Sequence, residues 1–436
     1  MSTRSVLLLL AAIPLTAETT VLQHLTLIDG NGGNPVRDAA IIIVDGRIQY
    51  AGPAARAKAP GDAQTVDLSG KYVMPGIINL HGHLGNVIDL TQDPKFFTRE
   101  NVERNLKLYA SYGVTSMVSM GSDKELIFDM RQQQRAGRPN MTRIFTAGRG
   151  FTGYGGYPTT VPGNKGVPFE VANDAEVEKD IAWLAAKKVD LVKIWVDDHL
   201  GREKKISLDL CKAIIEDARK RNLRVAAHVF YLADAKALVD DGLAELAHSV
   251  RDRPVDDALI DSMKKHGTVQ TATLAREASL FAFSRPSPML QDEFFTHALS
   301  PAVLQTLRSP EFQAKQRADH DFSKYPGFLE MAEKNLKKLS DSGVKIGFGT
   351  DTGPPARFPG YGEHWEMELM VQAGLTPREV ITAASKTAAE FLGAKDLGTI
   401  ERGHWADLLV VGGNPLDDIR NTRKIEGVYI AGNKIR

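Results

Sequence analysis

The sequence predicts an α/β protein that combines a (β/α)8 TIM barrel with a small discontinuous β-sandwich domain formed by its N- and C-terminal segments. Two patterns and the length carry this prediction. Between residues 75 and 396, short apolar strands alternate with helical stretches, as in parallel strands joined by crossover helices. Residues 18–74 and 397–436 instead read as strands and tight turns. A chain of 436 residues accommodates a barrel and a smaller second domain.

The composition is that of a globular protein without a charge excess. Lys and Arg together number 54, as do Asp and Glu, so the formal net charge is zero, and 43% of the residues are hydrophobic. Nucleic acids and anionic membranes select basic proteins, so neither is expected as a partner. The apolar content also argues against a disordered chain. Cys211 is the only cysteine, which excludes an intramolecular disulfide and a metal site built from several cysteines.

Residues 1–17 have the layout of a cleavable signal peptide. Arg4 precedes an apolar run over residues 6–15, and the small residues Thr16 and Ala17 follow. The run is too short to span a bilayer, which needs about 20 residues. The sequence therefore predicts an exported protein, periplasmic or secreted. The alternative interpretation is a buried N-terminal strand or helix.

The two terminal segments carry strand patterns, but each has too few strands for a stable sheet. Asp45-Gly46 predicts a hairpin turn near the N-terminus, and Gly432-Asn433 predicts a second turn near the C-terminus. The strand-like stretches are residues 21–28, 40–44, 47–50, 406–411 and 428–431. The simplest arrangement pairs the two ends of the chain into one composite domain.

Eight apolar stretches between these ends read as barrel strands, separated by amphipathic helices such as 208–221 and 233–241. The strands are residues 76–80, 114–119, 143–147, 191–195, 224–227, 243–247, 268–273 and 345–349. Eight such units match a (β/α)8 barrel, and a doubly wound open sheet is the competing topology. Residues 275–326, which follow the seventh strand, are rich in Phe, Met and Pro and predict a partly helical lid.

Residues that can bind a metal ion lie at the ends of five predicted strands. His81 and His83 are two positions apart on the first strand, so both imidazoles point the same way and can reach one ion. The fourth, fifth, sixth and eighth strands contribute Lys193, His228, His248 and Asp351. Each residue alone suits a structural role. Together they occupy the face where barrel enzymes carry their active sites, and they suit Zn²⁺ or a similar divalent ion.

The sequence resembles the amidohydrolase superfamily, and more narrowly its imidazolonepropionase-like and prolidase-like secreted members. The resemblance covers nearly the whole chain after the predicted signal peptide. It rests on the strand-4 lysine, the strand-5 and strand-6 histidines, and the motifs Met74-Pro75-Gly76-Ile77-Ile78-Asn79-Leu80-His81-Gly82-His83, Gly349-Thr350-Asp351 and Gly403-His404-Trp405-Ala406-Asp407-Leu408.

The resemblance implies a centre with two divalent metal ions, Zn²⁺ being the expected metal. The implied ligands are His81, His83 and Asp351 for the more buried ion, and His228 and His248 for the more exposed one. Lys193 would be carboxylated and bridge the two ions, because an ammonium group cannot bind a cation. Mononuclear members of the superfamily do not use this lysine, so Lys193 favours the binuclear, hydrolase-like branch.

The implied reaction is hydrolysis of a non-macromolecular C–N bond, with a small amide such as a dipeptide or an N-acyl amino acid as substrate. A hydroxide that bridges the ions would attack the carbonyl, and Asp351 would carry its proton to the leaving amine. The alternatives are a mononuclear cyclic amidase, deaminase or lactonase of the same superfamily, and a non-catalytic relative. The sequence leaves the oligomeric state open, a homo-oligomer included.

Other features are weaker candidates. Tyr231, just after the fifth strand, could donate a hydrogen bond to the substrate, and His364 follows the last strand. Arg285 and Arg308 in the predicted lid suit a substrate that bears a carboxylate. Residues 148–153 spell G-x-G-x-x-G, but the Tyr-, Gly- and Pro-containing stretch that follows cannot open the helix of a dinucleotide site, so an active-site loop is expected there.

Overall fold

The structure, a computed structural model, describes residues 18–436, so the predicted signal peptide over residues 1–17 lies outside the described residues. The strands are β1 Thr19–Leu27, β2 Val36–Val44, β3 Arg47–Pro53, β4 Gln64–Asp67, β5 Tyr72–Pro75, β6 Ile77–Gly82, β7 Val87–Ile88, β8 Thr91–Gln92, β9 Val114–Ser119, β10 Arg143–Thr146, β11 Phe151–Gly153, β12 Phe169–Val171, β13 Val192–Trp195, β14 Val225–His228, β15 Glu245–Leu246, β16 Val269–Thr271, β17 Ile346–Gly347, β18 Leu408–Val411, β19 Ile425–Ile430 and β20 Asn433–Lys434.

The α-helices are α1 Arg99–Ser111, α2 Leu126–Arg135, α3 Asp174–Ala186, α4 Leu208–Lys220, α5 Leu232–Asp240, α6 Asp257–His266, α7 Leu274–Ser279, α8 Glu293–Thr296, α9 Pro301–Arg308, α10 Pro310–Arg317, α11 Tyr325–Asp341, α12 Tyr361–Gln372, α13 Pro377–Thr382 and α14 Ala388–Leu392. Short 3₁₀ helices occupy Ala54–Arg56, Pro94–Phe96, Pro162–Asn164, Pro288–Gln291, Phe322–Lys324 and Ile419–Arg423, and a π-helix occupies Ala383–Thr387.

Parallel strands form the middle of the chain, in agreement with the predicted α/β class. One sheet has the order β10-β9-β6, and a second has the order β12-β11-β13-β14-β15-β16-β17. Backbone hydrogen bonds join the two sheets: Leu80 N donates to Phe348 O at 2.7 Å, and Asp190 N donates to Thr146 O at 2.9 Å. All eight predicted strands are observed, each within two residues of its predicted bounds.

Alternation along β13 decides which side chains reach the site. Val192 and Ile194 belong to the hydrophobic core shared with the helices that follow the strands, such as Ile214 of α4. Because successive side chains on a strand point to opposite faces, Lys193 points away from that core. Helix α4 itself buries residues spaced three and four apart, as the predicted amphipathic pattern requires.

The two ends of the chain pair into one sheet. Its order is β20-β19-β18-β5-β1-β2-β3, with β4 paired to β1, so the C-terminal strands lie on one side of the sheet and the N-terminal strands on the other. The junction is the antiparallel pairing of β5 with β18, in which Met74 faces Leu409. The predicted hairpin at Asp45-Gly46 is observed between β2 and β3, and both residues have positive φ (48° and 81°), as a type I′ turn requires.

The segment after β16 is partly helical, as its composition predicts. It contains α7 to α10 and leads into α11. Its aromatic side chains pack with one another and with Tyr112 and Tyr361 in a separate hydrophobic cluster. Over residues 18–436, no helix combines the length and apolar character that a transmembrane span requires.

Candidate metal centre

The predicted metal-binding residues converge at the carboxyl ends of the parallel strands. His81 lies near the end of β6, Lys193 lies within β13, His228 ends β14, and His248 and Asp351 follow β15 and β17. Each of these five side chains is nearly or fully buried. His83, also at the end of β6, is partly buried. Parallel register brings these strand ends to one face, as the sequence predicts.

Three of these residues form a group with the spacing of metal ligands. Ligand atoms of His81, His248 and Asp351 all lie within 4.8 Å of one another. His81 Nε2 is 3.6 Å and His83 Nε2 is 2.9 Å from Asp351 Oδ1. The resemblance grouped His83, not His248, with His81 and Asp351, whereas this structure places all three histidines near the Asp351 carboxylate.

Buried nitrogen atoms in this group test whether its residues fit a metal ion. His81 Nδ1, His248 Nε2 and Lys193 Nζ are buried and have no hydrogen-bond partner among the described residues. More than about 90% of buried polar groups in proteins are hydrogen-bonded, so three such atoms in one cluster need an explanation. A divalent ion supplies one, because neutral imidazoles and an ionised carboxylate are the ligands that Zn²⁺ prefers. The residues present therefore fit a metal ion.

Hydrogen bonds to the Nδ1 atoms orient two of the imidazoles. Thr273 Oγ1 is 2.6 Å from His248 Nδ1, which leaves Nε2 free as a ligand atom. Ser122 Oγ is 2.7 Å from His83 Nδ1 in the same way. Such outer partners fix the ring orientation of histidine ligands. Burial also lowers the pKa of His81 and of His248 well below the usual range, so both stay neutral, the form that binds metal.

His228 has a different partner. Its Nε2 is 2.8 Å from Asp197 Oδ2, while its ring centroid is 4.1 Å from that of His248. Burial alone would raise the pKa of Asp197, but the hydrogen bond and charge of His228 outweigh burial and hold that pKa below its ordinary value. Asp197 is absent from the sequence prediction. The signal that could have found it is its place two residues beyond β13, on the same face as the histidines.

Lys193 has a buried acidic neighbour. Lys193 pairs with Ala226 of β14, and Ala226 pairs with Glu245 of β15, so the two charged residues lie in one row across three strands. Both are fully buried. Burial lowers the pKa of Lys193 to about 8 and raises the pKa of Glu245 to about 7. Thr271 Oγ1 donates to Glu245 Oε1 at 2.5 Å, and Glu245 also escaped the sequence prediction.

Asp351 presents its two oxygens to different neighbours. Oδ1 lies toward His81 and His83, and Oδ2 accepts a hydrogen bond from Arg357 Nη1 at 2.5 Å. Burial opposes ionisation, but the Arg357 guanidinium and the histidines hold the pKa of Asp351 well below its usual range. The backbone of Asp351 is in the left-handed region (φ 56°), a conformation that Asp tolerates and that functional sites often retain.

A second polar cluster supports the two strands that carry the ligands. Glu363 Oε1 accepts hydrogen bonds from Asn79 Nδ2, Thr350 Oγ1 and Thr352 Oγ1 at 2.7–2.8 Å, and Oε2 accepts from Gly360 N at 2.6 Å. Asn79 Oδ1 accepts in turn from the backbone N of His81 at 2.8 Å. Glu363 therefore ties β6 to the segment after β17.

A cavity of about 340 Å³ opens directly above the ligands. Its apolar wall includes Trp195, Phe230, Leu280 and Phe328. Its polar wall includes four arginines and the Tyr157 ring, whose centroid is 5.4 Å from that of His228. This volume lies within the range of small-molecule sites, which is about 300–1,000 Å³. Residues from the predicted lid region, among them Leu280 and Tyr325, form part of the wall.

The weaker sequence candidates lie elsewhere. Tyr231 donates its phenol hydrogen to Asp198 Oδ1 at 2.8 Å and is not among the residues that line the cavity. His364 is buried between Thr422 Oγ1 and the carbonyl of Tyr112, each at 2.9 Å, which is a structural role.

The predicted lid arginines and the Gly-rich stretch also differ from expectation. Arg308 donates to the carbonyl of Leu290 at 2.7 Å, and neither Arg308 nor Arg285 lines the cavity. The glycine-rich residues 148–153 run into β11 and then into turns without a helix, as expected for a loop.

Comparison with known proteins places these features in a wider group. The model of the amidohydrolase family matches residues 72–435. Ochratoxinase of Aspergillus niger is 24% identical to this chain, over 93% of this chain and 83% of its own length. Imidazolonepropionase of Deinococcus radiodurans is 23% identical, over 92% of each chain. The solved structure of a Xaa-Pro dipeptidase with bound methionine is similar in fold, with 22% identity, a TM-score of 0.74, and coverage of 96% of this chain and 99% of its own.

Proposed function

The chain belongs to the amidohydrolase family and is a hydrolase acting on C–N bonds, and from that premise we propose that it hydrolyses the amide bond of a dipeptide or an N-acyl amino acid. The observation that carries the proposal is the cluster of buried, unpartnered ligand atoms at the base of a cavity of small-molecule size. The dipeptidase and ochratoxinase relatives support this choice of substrate class.

The residues of the site divide the chemical tasks. Divalent ions held by the histidines and Asp351 would polarise the substrate carbonyl and lower the pKa of a bound water. Asp351 Oδ2, on the side of the cavity arginines, accepts the proton of the attacking water and passes it to the leaving nitrogen. Arg357 fixes the orientation of this carboxylate through its hydrogen bond to Oδ2. The apolar wall around Trp195 and Phe230 excludes water from the substrate.

We propose that the site would hold two divalent ions and that a carboxylated Lys193 would supply ligand oxygens to both. Only the neutral form of an amine reacts with CO₂, and the burial that lowers the pKa of Lys193 to about 8 makes that form accessible near neutral pH. The buried Nζ has no hydrogen-bond partner among residues 18–436 that would compete with this reaction. His83 and His228 would complete the ligand set, His228 through the Nε2 atom that lies 2.8 Å from Asp197 Oδ2.

One observation favours the alternative of a mononuclear cyclic amidase, deaminase or lactonase. His228 Nε2 is engaged by Asp197, whereas His81, His248 and Asp351 already form a group suited to one ion. The metal content measured after zinc reconstitution, with and without bicarbonate in the buffer, distinguishes the binuclear site from the mononuclear alternative. Two ions per chain that require bicarbonate support the binuclear site. One ion per chain, indifferent to bicarbonate, supports the alternative.

A library of dipeptides and N-acyl amino acids, assayed for released amine, tests the proposed reaction. We expect zinc-reconstituted protein to release amine, and a chelator to abolish the activity. His248→Ala should be inactive. His266→Ala, which changes an exposed histidine at the end of α6, should match the wild type. Metal-independent release of amine, or full activity in His248→Ala, would contradict the proposal.

We also propose that residues 18–74 and 397–436 form the composite β-sandwich domain beside a closed eight-stranded barrel. Hydrogen bonds such as Leu80 N to Phe348 O, which link the last parallel strand to the first, support closure of the barrel.

We further propose that the protein is exported through residues 1–17. Deletion of residues 1–17 tests export: the shortened chain should stay in the cytoplasm while the full chain leaves it. Equal distribution of both would contradict the proposal.

A further inference from the structure

The wall of the cavity contains charged side chains in addition to the predicted metal ligands. Four arginines line it: Arg202, Arg251, Arg276 and Arg357. Two of them have a carboxylate partner each, Arg202 with Asp321 at 2.7 Å and Arg357 with Asp351 at 2.5 Å. The remaining pair, Arg251 and Arg276, share their nearest carboxylate, and Arg276 Nε also lies 3.9 Å from Asp351 Oδ2.

That shared partner is Glu277. Arg251 Nε is 3.1 Å from Glu277 Oε1, and Arg276 Nη1 donates to the same oxygen at 2.6 Å. The side chains of Arg251 and Glu277 are almost fully buried, and that of Arg276 is 11% exposed. One carboxylate cannot neutralise two guanidinium groups, and an uncompensated buried charge is costly. This wall of the cavity therefore favours an additional anion.

Arg251 Nε and Arg276 Nε both lack a hydrogen-bond partner among the described residues, but Arg276 is the more exposed of the two, at 11% against 1%. Arg251 Nη1 is used by the carbonyl oxygens of Val229 and Ser249, both at 2.8 Å. The fixed fork of a guanidinium group binds a carboxylate through two parallel hydrogen bonds.

Three further acidic side chains of the cavity wall each have a hydrogen-bond or ion-pair partner. These pairs are Asp197 with His228, Asp321 with Arg202, and Asp319 with the phenol of Tyr325.

The position of Arg276 relates a bound anion to the scissile bond. Arg276 Nε is 3.9 Å from Asp351 Oδ2, the oxygen that delivers a proton to the leaving nitrogen in the proposed reaction. A carboxylate on Arg276 thus lies within a few ångströms of that nitrogen. The N–Cα and Cα–C bonds are about 1.5 Å each, so a carboxylate on the α-carbon of the leaving amine spans this separation.

We propose that Arg276, held by Glu277 and supported by Arg251, binds the α-carboxylate of the amino acid that the reaction releases. This inference rests on the proposed amide hydrolysis, and it specifies that the protein recognises the part of the substrate that becomes the released amino acid. Arg276 is the specificity-determining residue, and the substrates are N-acyl α-amino acids and dipeptides with a free carboxylate. Amides and esters of the same compounds lack the charge that Arg276 binds.

The kinetic test compares N-acetyl-L-phenylalanine with N-acetyl-L-phenylalaninamide, assayed for release of phenylalanine and of phenylalaninamide respectively. The wild type should prefer the free acid by about 100-fold in kcat/KM, as for a buried charge pair. In Arg276→Met that preference should collapse because activity on the free acid falls, while activity on the amide changes little. Arg276→Lys should restore part of the preference. A preference retained in Arg276→Met overturns the proposal.

Arg285→Met is the matched control, because Arg285 lies in the same segment but does not line the cavity. It should keep the wild-type preference. Arg276→Met leaves Arg251 and Glu277 as a balanced pair, so it should fold, and its zinc content and melting temperature should match the wild type. A loss of preference in Arg285→Met equal to that in Arg276→Met would overturn the assignment.

A binding measurement separates this inference from the proposed function. L-phenylalanine and L-phenylalaninamide are titrated calorimetrically into zinc-reconstituted protein. The wild type should bind the acid at least about 10-fold more tightly than the amide, and Arg276→Met should not discriminate. If neither acetyl compound is hydrolysed but this discrimination holds, the amide-hydrolysis proposal fails for these compounds and the carboxylate site stands. Equal binding of both probes by the wild type overturns the carboxylate site.

Discussion

Two buried polar clusters lie on either side of Asp351, and they differ in whether their hydrogen bonds are complete. In the first, both oxygens of Glu363 are satisfied by Asn79, Thr350, Thr352 and Gly360. In the second, buried nitrogen atoms lack any hydrogen-bond partner in the part of the chain that the structure describes: His81 Nδ1, Lys193 Nζ and His248 Nε2.

This contrast distinguishes a cluster that stabilises the fold from a cluster that would bind metal and carry out the reaction. A satisfied network stabilises the fold by itself, because every desolvated group regains a partner. Buried polar atoms without hydrogen bonds cost folding free energy in metal-free protein, and such a cost is found where a ligand or metal ion supplies the missing interactions. Substitutions should therefore change stability in the first cluster, and metal binding and activity in the second.

The largest expected effect is on activity, at Asp351. Asp351→Asn removes the proton acceptor and should lower kcat by about 1,000-fold, the middle of the range for general acid–base groups. Asp198→Asn, which changes a neighbouring carboxylate bound to Tyr231, should stay near the wild type. The measurement is steady-state hydrolysis of a confirmed substrate by zinc-reconstituted proteins. Full activity in Asp351→Asn would rule out the proposed proton shuttle.

The next effect is on stability, at Glu363. Glu363→Gln places an NH₂ group among donors, so it should lower the free energy of unfolding by about 3 kcal/mol. The loss should appear equally with and without metal, because Glu363 contacts the strands and not the ligand atoms. Urea denaturation followed by far-UV circular dichroism measures it. A change below the error of the method would show that the satisfied network carries no stability.

Substitution of Lys193 should have the opposite effect on stability to substitution of Glu363. At pH 7 the metal-free protein buries the Lys193 charge without a hydrogen-bond partner among the described residues, so Lys193→Met should raise its unfolding free energy by about 1–3 kcal/mol while abolishing the binding of a second ion. Burial lowers the pKa of Lys193 to about 8, against about 10.4 in an unfolded chain.

The sign of the pH dependence follows from these two values. Below pH 8 both states hold the proton and the penalty is complete. Between the two pKa values folding releases a proton, so wild-type stability rises with pH and the gain from Lys193→Met shrinks. Denaturation in EDTA at pH 7 and pH 9 measures both effects. A destabilised Lys193→Met protein at pH 7 would contradict this reasoning.

The smallest effect belongs to an exposed pair that sits in neither cluster. Glu330 and Lys334 are four residues apart on α11, with side chains 64% and 66% exposed. Glu330→Gln should change stability by less than about 0.5 kcal/mol and leave metal binding and activity unaltered. The same denaturation curves provide the check, and a loss comparable to that of Glu363→Gln would show that burial is not what distinguishes the clusters.

The ligand-bearing strands were predictable from the sequence because their signals are local. Apolar runs of four to six residues predicted eight of the parallel strands but not the three-residue strands β11 and β12, and the two-residue spacing of His81 and His83 placed both imidazoles on one side. Strand ends in a parallel sheet share a face, so His228 and His248 needed no further information. Which of these residues share one metal ion could not be predicted in this way, because the distances between side chains on different strands depend on the strand register.

The cavity wall was not predictable, because it depends on how loops fold back over the strands. Arg276 and Arg285 lie in one segment of similar composition, yet only Arg276 lines the cavity. The difference arises at Thr273, whose left-handed backbone (φ 54°) starts α7 directly at the strand end. Tyr231 was expected in the site and Tyr157 was not, because no spacing rule relates a long loop to the strand ends it covers.

The most direct test of the central claim is a crystal structure of zinc-reconstituted protein, with anomalous difference maps collected at the zinc edge. The account predicts two anomalous peaks among His81, His83, His228, His248 and Asp351, with carbamate density on Lys193 Nζ between them. A well-ordered site with no anomalous peak and an unmodified Lys193 would contradict the claim that the unpartnered cluster is a metal centre.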